Sequence, residues 1–302
     1  MQLGFVTAIL PDLSFEEVLA FAAAEGFQCV EVMCWPPGKA DRRYAGVTHI
    51  DVTTMNEDQA GQIKELVKKY GVAISALGYY PNCLDPDADK RQEAIDHLKN
   101  VISAAPHLDV GTVTTFIGRD PTLSVEECWP LVRQIWPAIV KHAETEGVKI
   151  GVENCPMIFS LDEWPGGKNL AYSPAIWRRL FTEIPSPNLG LNFDPSHLLW
   201  LGIDCVRAVK EFAHHIHHVH AKDTKIDRDK LYEEGVMGLG WNTPKIPGYG
   251  EVAWGPYFSA LSDIGYKGPV CIEVEDRAFE DSLEGRMNSL RQSKKFLQQF
   301  IL

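Results

Sequence analysis

Two periodicities alternate along the chain. Short stretches in which apolar and polar or small residues alternate one by one, at 3–7, 29–33, 72–77, 110–116, 148–153 and 270–274, predict strands. Between them lie longer stretches whose apolar residues recur every three or four positions, and these predict helices at 54–70, 87–105, 124–146, 256–264 and 282–300. Ser14 followed three residues later by Glu17 has the form of a capping box for a helix that Gly26 ends. Ser173-Pro174 has the form of an N-cap followed by proline at N1, and Pro106 is expected to end the helix before it. Pro130 and Pro137 fall inside a helical pattern and should bend it.

The chain is organised around 188–223, which reads as a strand ending in an acid, a helix, and a strand ending in a histidine. Alternation puts Gly190, Asn192 and Asp194 on one face and Leu191 and Phe193 on the other; in the second strand Ile216, His218 and His220 share a face. Eight strands alternating with eight helices predict an α/β fold, a single (β/α)8 TIM barrel spanning 1–302 as one domain. Long loops are expected after its second, fifth and seventh strands, at 35–52, 154–172 and 222–254. An open doubly wound sheet is the competing architecture, but no glycine-rich phosphate turn follows an early strand.

Charge and cysteines narrow the setting. A net charge of −12 over 302 residues argues against a broad nucleic-acid footprint. The seven cysteines are scattered without a CxxC pair, which predicts a reducing compartment and no structural zinc. Without a basic, cleavable leader or an apolar run of membrane length, the expectation is a cytoplasmic protein with no membrane partner.

The candidate chemistry sits at the carboxyl ends of strands, where barrel loops form the open face. Glu153, Asp194, His220 and Glu273 each end a strand and share the inward phase. Converging buried carboxylates need a compensating cation, and three carboxylates with one imidazole form an oxygen-rich set suited to Mn²⁺, Mg²⁺ or Co²⁺. With three negative charges against two positive, a ligand glutamate could also carry protons. Each residue has a plainer role available. Asp194, before Pro195, suits a helix cap; Glu275 has the phase of Glu273; Glu31 points inward and suits either a substrate hydroxyl or an internal ion pair. Lys222 and Asp223 could face substrate or pair with each other, and Trp35, Tyr79, Tyr80, Trp164, Trp241 and Trp254 lie near the loops where aromatic faces could meet a sugar.

The segments NFDPSH, HHVHAKD, GYGEVAW and GPVCIEVED resemble the xylose-isomerase-like TIM-barrel superfamily, specifically its sugar phosphate isomerase/epimerase group, related to the ketose 3-epimerases. The resemblance covers nearly the whole chain. It implies one divalent metal ion, Mn²⁺ first with Mg²⁺, Co²⁺ or Zn²⁺ as alternatives, held by Glu153, Asp194, His220 and Glu273. It further implies Glu153 and Glu273 as the acid/base pair and His197 as a substrate contact; by their position at the strand ends and loops, Lys222, Glu31, Trp35 and Tyr79 are further candidates to meet a small-molecule sugar or sugar derivative. The implied activity is isomerisation or epimerisation by α-proton abstraction through an enediolate. A lyase, dehydratase or glycoside-cleaving enzyme using the same first step is the alternative, and a non-enzymatic sugar-binding barrel a remoter one. The abasic-site endonuclease branch fits poorly: Tyr79 stands where it would offer a histidine, DTK follows the seventh strand, and the chain is acidic. Family precedent makes a homo-oligomer possible.

Overall fold

A computed structural model describes residues 1–38, 45–163 and 166–301; Trp164 and part of the loop after the second strand lie outside them. Eight parallel strands close into a barrel: β1 (Gln2–Val6), β2 (Cys29–Met33), β3 (Ala73–Gly78), β4 (Thr112–Thr115), β5 (Lys149–Glu153), β6 (Leu189–Phe193), β7 (Ile216–Ala221) and, after a small separate sheet, β10 (Pro269–Ile272). Around the ring the order is β1-β10-β7-β6-β5-β4-β3-β2, so chain neighbours are barrel neighbours apart from the inserted sheet.

The helices are α1 (Phe15–Ala24), α2 (Glu57–Tyr70), α3 (Ala88–His107), α4 (Val125–Glu146), α5 (Pro174–Glu183), α6 (Pro195–Trp200), α7 (Cys205–Glu211), α8 (Arg228–Glu234), α9 (Trp254–Asp263) and α10 (Leu283–Leu297). Ser14 and Glu17 form the expected capping box at α1. The second helix starts three residues later than its periodicity suggests. Asp51 holds Thr53 and Thr54 in a turn, and Asn56 with Gln59 makes the box instead. α3 runs through Pro106, because a proline in a last turn forfeits a single intrahelical bond. Ser173 stands at the N-cap of α5 with Pro174 at N1, but its side chain makes no capping bond.

Outward strand residues such as Val152, Leu191, Phe193 and Val219 join the helices in one large core that also buries Trp129, Trp136, Trp177 and Tyr257. A smaller apolar cluster, including Val6, Met33, Tyr80 and Phe116, lies inside the barrel.

The largest departure from the sequence reading is 222–254, which is more than a loop. It folds as a two-stranded antiparallel sheet, β8 (Asp223–Ile226) with β9 (Asn242–Lys245), with α8 between them. Asp223 anchors it. Its fully buried carboxylate accepts from the backbone N–H groups of Thr224, Gly248 and Val252 and from Trp254 Nε1, at 2.9–3.0 Å, so it pairs with neither Lys222 nor an open pocket. Among the described residues no helix is long and apolar enough to cross a membrane.

Candidate active site

Four strand ends converge. Glu153 at the end of β5, Asp194 after β6, His220 near the end of β7 and Glu273 after β10 each offer one ligand atom, and these atoms lie within 4.8 Å of one another. His220 Nδ1 is 3.2 Å from Glu153 Oε1 and 3.4 Å from Glu273 Oε2. Glu273 belongs to this group, whereas Glu275 lies further out on Lys222.

Asp194 does two things at once. Its Oδ1 caps α6 by accepting from Ser196 N–H at 2.8 Å, while its Oδ2 is buried and receives no hydrogen bond. His197, one turn along α6, has a buried, unpartnered Nε2 lying 3.4 Å from Asp194 Oδ2 and 3.8 Å from Glu153 Oε1. Trp200 Nε1–H donates to His197 Nδ1 at 3.4 Å, which leaves the imidazole proton on Nε2, facing the cluster.

Lys222 is the local cation. Its buried ammonium donates to Glu273 at 2.6 Å and Glu275 at 3.2 Å and lies 3.3 Å from Asp194 Oδ2. Five carboxylates (Glu31, Glu153, Asp194, Glu273 and Glu275) thus surround one ammonium and the imidazole of His220, with the rings of His197 and His218 beside them. The excess of negative charge shows in their proton affinities. Burial, reinforced by the Glu273 carboxylate, pushes Glu153 up to about 7, and burial pushes Asp194 up to about 6 despite Lys222. Burial opposes ionisation of Glu273 too, but Lys222 and His220 outweigh it and hold that carboxyl well below its usual range.

An oxygen-rich set of three carboxylates and one imidazole, with a bare buried carboxylate oxygen and surplus negative charge, fits a divalent cation. The set opens on a cavity lined by Glu153, Lys222, Glu273, Trp35, Tyr80 and Phe116, among others.

Two sequence candidates fall elsewhere. Tyr79 is buried on the helical side, edge-on to Trp35 and to His97 of α3, and it is Tyr80 that lines the cavity. A bulge is the cause. β2 pairs Val30 with Ile74 but Glu31 with Ala76, so β3 carries one extra residue, and every side chain beyond it changes face. Glu31 is the other. It points inward but lies wholly buried beneath the site, with Oε2 2.7 Å from His220 Nε2 and Oε1 accepting from Tyr80 Oη at 2.5 Å and Thr114 Oγ1 at 2.7 Å. It is therefore an internal ion-pair partner and does not line the cavity. Gly78 makes room for it, since a Cβ there would stand 2.8 Å from Glu31 Oε1. Trp200 and Asn192 were missed because neither ends a strand or carries charge. Trp241 lines a separate groove with Trp200, and Trp254 is buried on Asp223.

A closed eight-stranded parallel barrel whose strand ends gather acids and histidine around one cavity defines a class, and the family comparison agrees. The model of the xylose isomerase-like TIM barrel family matches residues 19–300, and the chain belongs to that family. Among its relatives is the uncharacterized protein YfiH of Bacillus subtilis (strain 168), 31% identical over 91% of this chain and 93% of that protein. Inosose dehydratase of Clostridium beijerinckii is 30% identical over 65% of this chain and 63% of the dehydratase. Among solved structures, D-psicose 3-epimerase in the presence of D-fructose superposes with a TM-score of 0.73 at 15% identity, covering 100% of this chain and 99% of that one. The IOLI protein with a bound zinc atom gives 0.73 at 17% identity, with coverages of 100% and 99%.

Proposed function

We propose that the chain is a divalent-metal-dependent sugar isomerase or epimerase that removes a proton from the carbon beside a substrate carbonyl. The observation that carries this reading is the convergence of Glu153, Asp194, His220 and Glu273 within 4.8 Å, with Asp194 Oδ2 receiving no hydrogen bond, at the wall of the cavity. These four residues would hold the cation, Mn²⁺ in the first instance, and the bound ion supplies Lewis-acid polarisation of a carbonyl.

The chain's own groups do the rest. Glu153 and Glu273 reach the cavity from strands separated by β6 and β7, which places two carboxyl groups apart on its wall as an acid/base pair requires. Proton removal by one glutamate and delivery by the other to the opposite face inverts the carbon; delivery to the adjacent carbon isomerises it. His197 presents Nε2–H to a substrate oxygen, and Lys222 holds Glu273 ionised. The Trp35 and Tyr80 rings offer apolar faces to the C–H surface of the sugar.

A second reading, dehydration of a keto-polyol, is supported by the sequence kinship with inosose dehydratases, because elimination begins with the same proton abstraction. Incubation of Mn²⁺-loaded protein in D₂O with ketohexoses and with inososes, followed by NMR, tests both. Deuterium at the α-carbon of an epimer or isomer supports the first reading, and an unsaturated or dehydrated product the second. Glu153→Gln and Glu273→Gln should each slow exchange by roughly 10²- to 10⁴-fold. Absence of exchange with every keto-polyol, or exchange untouched by both variants, refutes the assignment.

A further inference from the structure

Beneath the four-residue cluster the barrel floor is closed by hydrogen bonds that play no part in the chemistry above, yet they decide how His220 is protonated. Glu31 Oε1 accepts from the hydroxyls of Tyr80 and Thr114, and Oε2 lies 2.7 Å from His220 Nε2. A carboxylate is an acceptor only, so Nε2 must be the donor. Asn192 Nδ2 lies 3.0 Å from both Tyr80 Oη and His220 Nε2. Turning that amide over exchanges its donor and acceptor ends but leaves Glu31 as the acceptor for Nε2. The other ring nitrogen, Nδ1, is hydrogen-bonded to Glu153 at 3.2 Å and lies 3.4 Å from Glu273, so without a cation both nitrogens face carboxylates. A cation taken up among Glu153, Asp194 and Glu273 would displace the Nδ1 proton while Glu31 keeps the one on Nε2.

We infer that Glu31 is a positioning residue for metal binding: by holding Nε2–H of His220 it fixes Nδ1 as the nitrogen that faces Glu153, Asp194 and Glu273 and would coordinate a cation there. This rests on the metal-site reading above and adds to it a nitrogen and a residue outside the ligand set. Glu31 is buried, does not line the cavity and touches no substrate. Its carboxylate makes the imidazole a better donor to a cation, as an acceptor behind a ligand histidine does generally. Three donors on one carboxylate, and a strand neighbour at Gly78 with no side chain to displace it, fix its orientation.

Zinc alone serves as a diamagnetic probe of the whole chain. Nitrogen-15 NMR of the zinc-loaded wild type should show His220 coordinated through Nδ1 with a proton retained on Nε2. Chelator competition should show zinc bound roughly 10- to 100-fold more weakly by Glu31→Gln, which keeps an acceptor for Nε2–H but loses the charge. Coordination through Nε2, or a Glu31→Gln affinity within about threefold of wild type, overturns the inference and leaves the four-ligand site standing. Failure of the wild type to take up zinc overturns the site and this inference together. If Glu31→Gln does not fold, the wild-type spectrum alone decides which nitrogen is the ligand.

Discussion

Lys222→Met should destabilise the metal-free protein and make it depend on a divalent cation more than the wild type does. The buried ammonium touches Glu273, Glu275 and Asp194 at 2.6, 3.2 and 3.3 Å. Glu275 is 35% exposed and water compensates its loss, so Glu273 and Asp194 carry the effect. Removing one partner from a buried ion pair costs about 3–5 kcal/mol, because the charges left behind stay desolvated. With an unfolding entropy of roughly 2.1 cal/mol/K per residue, a chain of 302 residues has about 0.6 kcal/mol/K in total, so Tm should fall by about 5–8 °C. The ammonium and a cation are drawn to the same oxygens, Asp194 Oδ2 and Glu273 Oε2. Added Mn²⁺ should therefore raise the Tm of the variant by more than it raises that of the wild type. Differential scanning calorimetry in chelator, then with Mn²⁺, measures both. A variant as stable as wild type in chelator, or one gaining no more from Mn²⁺, refutes the reasoning.

Other outcomes follow from the same geometry. Glu153 has a folded value of about 7, above its ordinary 4.5, so its contribution to stability is complete below about pH 4.5 and is lost as pH rises through 7. At about 1.36 kcal/mol per unit, metal-free wild type should lose on the order of 3 kcal/mol between pH 5 and 8 relative to Glu153→Gln, measured by urea unfolding. The difference between the two proteins removes titrations remote from position 153, and a pH-independent difference would sink the point. Asp194→Asn keeps an acceptor for Ser196 N–H, so circular dichroism should stay near wild type while titration with Mn²⁺ shows an affinity loss beyond the roughly 10- to 100-fold typical of groups behind a ligand. Unchanged affinity would remove Asp194 from the ligand set. Tyr80→Phe strips a donor from the buried Glu31 carboxylate and should lower stability in urea unfolding by about 1.5–3 kcal/mol, whereas Tyr79→Phe, on the helical side, should change it less. The reverse order would mean that the change of face in β3 has been misread.

Much of the barrel was legible because its strands are short and two-faced. In β6, Leu191 and Phe193 must go to the helices, which forces Asn192 and Asp194 inward, and the same logic applies to Glu153 and Glu273. Alternation fails where the count of residues between pairing partners is not conserved. The extra residue in β3 is invisible in a sequence where Ser75, Ala76 and Gly78 are all small enough for either face, so Tyr79 and Tyr80 exchange places without any local penalty. The sheet of β8 and β9 escaped for a different reason. DTKI and NTPK are four residues each, polar, and separated by a helix, so they lack the apolar alternation that marks a strand, and their pairing depends on Asp223. Hydrogen bonds such as that from Trp200 to His197 depend on where two side chains meet and leave no periodic trace.

The anchoring of that small sheet has a bearing on how such a barrel diversifies. Three of the four donors to Asp223 are main-chain N–H groups and the fourth is Trp254 Nε1, at the start of α9. None belongs to the stretch between β8 and β9, where Tyr232, Val236 and Met237 stand exposed. The Asp223 fastening therefore does not use the side chains of 227–241, although that stretch makes contacts of its own through Arg228 to Glu251 and Trp241 to Trp200. Changes at its exposed positions can alter the outer surface and the groove beside Trp200 while Asp223 holds the two strands, and with them the neighbouring Lys222, in place.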